Sequence, residues 1–194
     1  MTETNKQQYQ TMQQLTDIEC VARTIDGDTD AFGVLVERYS QRVYALVAGI
    51  VGVGAEAEDL TQEVFIKAWT NLANFSHRSA FSTWLYRIAY NAALSSKRVR
   101  RGVFAEISER ALAQVGEEVE EQLFTDADIA SLESALLQLH PRHRAVVELH
   151  YRHSLSLAEV AEVVGTNENN VKVMIHRARR QLALLITNSR NDGE

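Results

Sequence analysis

The chain of 194 residues has one cysteine, Cys20, one proline, Pro141, and nine glycines. A lone cysteine excludes an intramolecular disulfide and suits a reducing compartment. With so little proline and glycine, and few alternating apolar runs, strands and hairpins lack their usual punctuation. The expected fold class is therefore all-α. No apolar run approaches the roughly 18–20 residues that span a bilayer, and the polar N-terminus has no signal-peptide core. The expected location is cytoplasmic. Apolar residues make up 45% of the chain, enough for packed cores and too many for wholesale disorder.

The most informative absence is local. Residues 64–105 contain no acid, although the chain carries 26 acids against 20 Lys and Arg. This stretch holds Lys67, Arg78, Arg87, Lys97, Arg98, Arg100 and Arg101, interleaved with Phe65, Trp69, Phe75, Phe81, Trp84, Tyr86 and Tyr90. Cations attract phosphates without regard to sequence, and flat rings offer surfaces on which unpaired bases stack. The pattern points to single-stranded nucleic acid; a helical core with basic exposed faces would read the same way. Elsewhere charge is segregated. Residues 15–63 have ten acids and three Lys or Arg, and residues 106–128 have eight acids and one Arg. The net charge of −6 therefore describes no single face.

Along the chain, residues 1–14 are polar and Gln-rich, and read as a disordered tail. Helical spacing begins at Asp17, with Ile18, Val21, Ala22 and Ile25 apolar. A second helix follows a cap at Asp28 or Asp30 and carries Phe32, Leu35, Val36, Tyr39, Val43, Leu46, Val47 and Ile50. A third starts near Ala55, with Leu60, Val64, Ala68 and Leu72 on one stripe and Phe65 and Trp69 beside it. Gln62, Glu63, Ile66 and Lys67 then face elsewhere. After a loop at 74–79, Ser79 or Ser82 starts a fourth helix with Trp84, Leu85, Ile88, Ala89 and Ala92 inward. Four helices in this length make one small bundle over 15–101. Residues 102–128 read as a flexible acidic linker, with a helical turn at 107–115. A second helical domain spans 129–187, and 188–194 form a tail.

The last two helices of that domain carry the most specific pattern. In LSLAEVAEVVGTNENNVKVMIHRARRQL, Ser156 caps one helix and Gly165 ends it; Asn167 caps the next. Leu157, Val160, Ala161 and Val164 point inward. The spacing of Ala161, Gly165 and Val171 is that of a helix-turn-helix: a small residue lets the helices approach, glycine takes the turn, and valine locks them. No acid occurs between Glu168 and Asp192, while Lys172, Arg177, Arg179, Arg180 and Arg190 do. A basic second helix suits the major groove. Asn169, Asn170, Lys172, Val173, His176 and Arg177 lie in its exposed N-terminal half, where base edges are reached.

Taken together, these segments resemble the extracytoplasmic-function group of bacterial sigma factors. AEDLTQEVFIKAW (57–69) is similar to the group's region 2.2, FSTWLYRIAYNAA (81–93) with its basic tail to regions 2.3 and 2.4, and 139–182 to region 4. The resemblance implies a sigma domain 2 over the first bundle and a sigma domain 4 over the second, with no domain 3. Asp59, Gln62, Glu63, Phe65 and Lys67 would face the clamp helices of the β′ subunit of core RNA polymerase, and the second domain the β flap. The loop Asn74, Phe75, Ser76, His77, Arg78 and Ser79 would hold a flipped base of the −10 element. Lys97, Arg98, Arg100 and Arg101 would lie along the adjoining phosphates. The −35 element would be read by His150, Asn169, Asn170, Lys172, Val173, His176, Arg177 and Arg180. Many relatives have Pro, Gly and Thr where this chain has Asn167, Asn169 and Asn170, and Ser-Arg in place of Val173 and Met174, so a different −35 preference follows. An anti-sigma factor, in the family often membrane-anchored, would occupy the polymerase-binding surfaces. No catalytic residue, metal or cofactor is implied, and an enzyme is not expected.

Unpairing and extruding a base costs roughly a few kcal/mol, and stacking on a ring returns about 1–3 kcal/mol. One small domain can trap an opened base, but the polymerase must drive most of the opening. A coil the length of the linker spans roughly 28 Å, whereas two promoter elements one and a half duplex turns apart are separated by roughly 50 Å. The polymerase must therefore hold both domains. Two other readings compete. A dimeric helix-turn-helix regulator would bind an operator without polymerase. A metalloenzyme would use His140, His143, His150 and His153, whose H-x-x-H spacings resemble ligand pairs, but Arg142, Arg144 and Arg152 are unfavourable neighbours for a cation.

Overall fold

The computed structural model describes residues 12–100, 132 and 134–191, and for 97–100 and 188–191 only the backbone. All the regular elements among these residues are helical, as expected. The chain divides into two compact units, with the change from one to the other after Ala93. The linker at 102–128, with its turn at 107–115, lies outside the described residues, as do 1–11, 129–131 and 192–194.

In the first unit, Thr16 caps α1 (Asp17–Ile25) through a reciprocal pair. The Thr16 hydroxyl accepts from the Glu19 backbone N–H at 3.3 Å, and the Glu19 carboxylate accepts from the Thr16 backbone N–H at 2.7 Å. That arrangement satisfies two donors with no partner inside the helix. The face that α1 buries is Cys20, Val21 and Thr24; of the expected stripe only Val21 is in it, and Ala22 is exposed. Ile18 and Ile25 are 61% and 51% exposed. The Thr24 hydroxyl donates to the Cys20 carbonyl at 2.7 Å, so a polar residue enters the core with its hydrogen bond made. Residues 12–14, read as tail, are tied down. Met12 is buried, the Gln13 amide reaches Glu37 at 2.6 Å, and Arg38 donates to the Gln13 and Leu15 carbonyls.

Asp28 caps α2 (Thr29–Val51), accepting from the N–H groups of Asp30 and Ala31. Its expected stripe is the core of the unit: Leu35, Val43, Leu46, Val47 and Ile50 are fully buried. Each such side chain contributes about 1.5–3 kcal/mol. Gly52, at φ +102°, ends the helix in a conformation that costs L side chains strain. On α3 (Ala55–Asn71), Ala57, Leu60, Val64, Phe65 and Ala68 are buried. A 3₁₀ turn, Leu72–Asn74, leads into the 75–80 loop, and α4 (Phe81–Arg100) starts one residue before Ser82. It buries Phe81, Thr83, Leu85, Tyr86, Ala89 and Tyr90; Trp84 and Ile88, expected inward, are half-buried.

The second unit opens with helical residues 134–138. His140 caps α5 (Pro141–Val147), with proline at a first-turn position where its missing N–H is no loss. The helix then widens into one π-helical turn, Glu148–Arg152. Ser156 caps α6 (Leu157–Val164) in a second reciprocal pair with Glu159, and Gly165 closes it in the left-handed region at φ +71°. Val163 fills the core position expected of Val164. The long α7 (Glu168–Asn191) follows. Ala178, Leu182 and Ile186 pack against Ala135 and Leu139, while Val171 and Ile175 are buried nearer its start.

Candidate nucleic-acid interface

The loop after the 3₁₀ turn is a short bent segment on an aromatic base. Phe75 is buried, with its ring centroid 5.3 Å from Trp84, 5.9 Å from Phe81 and 4.6 Å from His77. Asn74, Ser76, His77 and Arg78 are exposed and Ser79 is half-buried. His77 is held at φ +54°, a left-handed conformation sparsely populated by side chains larger than glycine. The loop thus presents polar groups on a backbone braced from below. This corrects the reading of Phe75 as a surface for bases. Its face is covered by other rings, and its role is to support the loop.

The same correction applies along the basic stretch. Phe65, Phe81, Tyr86 and Tyr90 are buried with Phe75, because helical periodicity turns them inward. Two rings retain open surface: Trp69, 41% exposed with its edge against Phe32 at 5.0 Å, and the half-buried Trp84. Burial pushes the Tyr86 phenol upward in pKa, with Arg42 opposing. Lys97, Arg98 and Arg100 belong to the last turns of α4, but their side chains, and all of Arg101, lie outside the described residues.

On α3, Asp59, Gln62, Glu63 and Lys67 are exposed, whereas Phe65 is 8% exposed and packs inward. Phe65 therefore leaves the set available to a partner. Glu63 and Lys67 pair at 2.6 Å across one helical turn. Between these polar groups stands Ile66, 64% exposed, with Trp69 three residues on. These two apolar side chains share a face with Gln62, since positions three and four apart are neighbours on a helix. Trp69, outside the polymerase-facing set that the resemblance implies, joins this face. The signal was present: an apolar residue repeating on an otherwise polar face.

In the second unit, the Asn167 side chain accepts from the Asn170 N–H at 2.9 Å, capping α7 as its sequence suggests. Asn169, Asn170, Lys172, Val173 and His176 are exposed; Arg177 and Arg180 are half-buried. This half of the helix carries amides, cations and an apolar group with no acid after Glu168. His150 is set apart on the π-helical turn, where its Nδ1 is 2.8 Å from the Leu155 carbonyl. That contact orients the ring.

Beneath lies a charged knot. Arg144 is buried, and burial lowers its pKa against the opposing effect of Glu148. Burial likewise raises the pKa of Glu148, while Arg152, at 3.1 Å, and Arg144 pull it down. Among the described residues no three His, Cys, Asp or Glu side chains converge as a metal site. No helix among them is long and apolar enough to cross a membrane.

The geometry is matched by known proteins. The family Sigma-70 region 2 matches residues 35–102, and Sigma-70, region 4 matches residues 129–182. The chain is 34% identical to the ECF RNA polymerase sigma factor SigW of Bacillus subtilis over 166 residues, 80% of this chain and 89% of that protein. It is also 34% identical to the ECF RNA polymerase sigma-E factor of Escherichia coli, over 88% of this chain and 94% of the relative. Among solved structures, CnrH bound to the cytosolic domain of CnrY superposes with a TM-score of 0.66. The two are 25% identical, over 89% of this chain and 97% of that one.

Proposed function

Because the chain belongs to the extracytoplasmic-function family of RNA polymerase sigma factors, we propose a mechanism in which its two helical units share one task. The protein is an alternative sigma factor: it joins core RNA polymerase, recognises −10 and −35 promoter elements and promotes opening. The observation that carries this reading is the order of the two family regions, the second built as a capped helix-turn-helix whose second helix is basic and has no acid after Glu168.

In our reading, Asp59, Gln62, Glu63 and Lys67, joined by Ile66 and Trp69, dock on the β′ clamp helices. The exposed apolar pair would anchor the contact, and the charges around it would set its register. Asn74, Ser76, His77, Arg78 and Ser79 take an extruded −10 base, with Phe75 as their floor. Lys97, Arg98, Arg100 and Arg101 follow the neighbouring phosphates. Region 4 enters the −35 major groove with the N-terminal half of α7. Residues 15–101 act as sigma domain 2 and 129–187 as sigma domain 4, the acidic segment between them spanning the polymerase. The protein works in the cytoplasm, without catalysis of its own. An anti-sigma factor covers the polymerase-facing surfaces; CnrH, which this chain resembles, was solved in complex with the cytosolic domain of CnrY.

Transcription by purified core polymerase on a promoter library tests this reading. Specific starts should appear only when the chain is added. Identical transcripts with and without it would refute the assignment.

A further inference from the structure

Two adjacent asparagines at the start of α7 differ in their surroundings, and the difference assigns them different work. The buried residues Val171, Ile175, Ala178 and Leu182 mark the line of α7 that faces the core. At 3.6 residues per turn, Asn169, Val173, His176 and Arg180 fall on the opposite line, and Asn170 falls on a flank with Arg177. Val173 is 46% exposed there, an apolar group in the middle of a polar face. Asn170 is engaged twice with the turn. Its backbone N–H donates to Asn167 Oδ1 at 2.9 Å, and its side-chain Nδ2 donates to Thr166 Oγ1 at 3.0 Å. The Asn169 side chain, in contrast, is exposed and makes no hydrogen bond among the described residues.

An asparagine amide matches the N6 and N7 edge of adenine in the major groove, and an aliphatic group matches the thymine methyl. Asn169 and Val173 are separated by one turn, about 6 Å along the axis at 1.5 Å per residue. That distance spans about two base-pair steps of roughly 3.4 Å each. Resting on the sigma-factor reading, we propose that Asn169 and Val173 are the specificity-determining pair of this chain. Asn169 reads an adenine and Val173 a thymine methyl about two steps away in the −35 duplex. Asn170 and Thr166 are positioning residues that fix the turn and hence the entry of α7 into the groove.

The experiment uses the full chain with core polymerase. Promoters randomised through the −35 element are transcribed with wild type, Asn169→Ala, Val173→Ala, Asn170→Ala, Thr166→Val and Thr166→Ser, after thermal melts confirm that each is folded. Wild type should enrich one adenine and one thymine about two steps apart. Asn169→Ala should weaken the preference for that adenine roughly tenfold or more. Deoxyuridine in place of the thymine removes only the methyl; it should lower transcription by wild type and leave Val173→Ala unaffected. Asn170→Ala and Thr166→Val should lower output evenly across sequences, with Thr166→Ser restoring it. A base preference that shifts with Asn170→Ala and not with Asn169→Ala would overturn the assignment, as would indifference of wild type to the methyl. Absence of transcripts from every promoter would overturn the sigma-factor reading and this assignment with it; transcripts with another preference would overturn this assignment alone.

Discussion

Tyr39 donates its phenolic hydrogen to the carboxylate of Asp17, tying the start of α1 to the middle of α2. Arg38 donates to the same carboxylate, so a single acid holds two neighbours on the longer helix. Burial raises the Tyr39 pKa, and the bond to Asp17 adds to the effect, which keeps the phenol a donor throughout the neutral range. Tyr39→Phe loses one hydrogen bond to a charged group and should cost about 1.5–3 kcal/mol, whereas Asp17→Ala loses the bonds to both Tyr39 and Arg38 and should cost more. Urea unfolding of the two variants checks the order. Equal losses would mean that Asp17 acts through Tyr39 alone.

The loop at 74–79 should separate support from contact. Phe75→Ala removes a ring packed on Phe81 and Trp84 and should destabilise the first unit by about 3–5 kcal/mol. Phe75→Leu should retain most of the stability and most promoter opening, because packing rather than a ring face is needed. Arg78 is exposed, so Arg78→Ala should change stability by less than about 0.5 kcal/mol yet reduce opening. Permanganate reactivity of the −10 region, measured beside initial promoter binding, separates the two effects. Full opening by Arg78→Ala would remove this residue from the interface.

On α3, Ile66→Glu should leave the melting temperature nearly unchanged, since the side chain it replaces is 64% exposed. Its affinity for core polymerase should fall roughly tenfold, or about 1.4 kcal/mol, as expected for losing an apolar anchor. Competition against a labelled wild-type chain measures this. Undiminished competition would place the docking face elsewhere on the unit.

Glu148 gives the second unit a pH signature. Burial raises its folded-state pKa above that of an unfolded glutamate, near about 4.3. Between those two values the folded state binds more protons, so stability rises as pH falls. The contribution is fully present below the unfolded value and is lost as pH climbs through the folded one. Glu148→Gln has no such proton to bind. Wild type should therefore gain stability relative to Glu148→Gln as the buffer is taken from pH 7 towards pH 4. Parallel curves for the two proteins would contradict the assignment.

Much of this fold was legible because its boundaries rest on local chemistry. Asp28, Ser156, Gly165 and Asn167 each act where the sequence indicates, since caps and left-handed turns need only neighbouring atoms. The inward face of α1 was not legible. Steps of three and four fit Ile18, Val21, Ala22 and Ile25 as well as Cys20, Val21 and Thr24; Val21 is common to both, and only a tertiary partner decides the rest. The aromatic stretch failed for a related reason. Composition marked its charge correctly but could not say that Phe75 and Tyr86 face other rings and that Tyr90 is buried. The different surroundings of Asn169 and Asn170 emerge only from the bond between Asn170 and Thr166.

The wide turn at Glu148–Arg152 holds one residue more than an α-helix would place there. Deleting a residue here would let the turn close as an ordinary α-helical one. The chain leading to Leu155, whose N–H reaches back to the Leu149 carbonyl at 3.1 Å, would nevertheless rotate by roughly 100°. A one-residue deletion at this point would therefore change bearing rather than span: the same helices would be pointed another way.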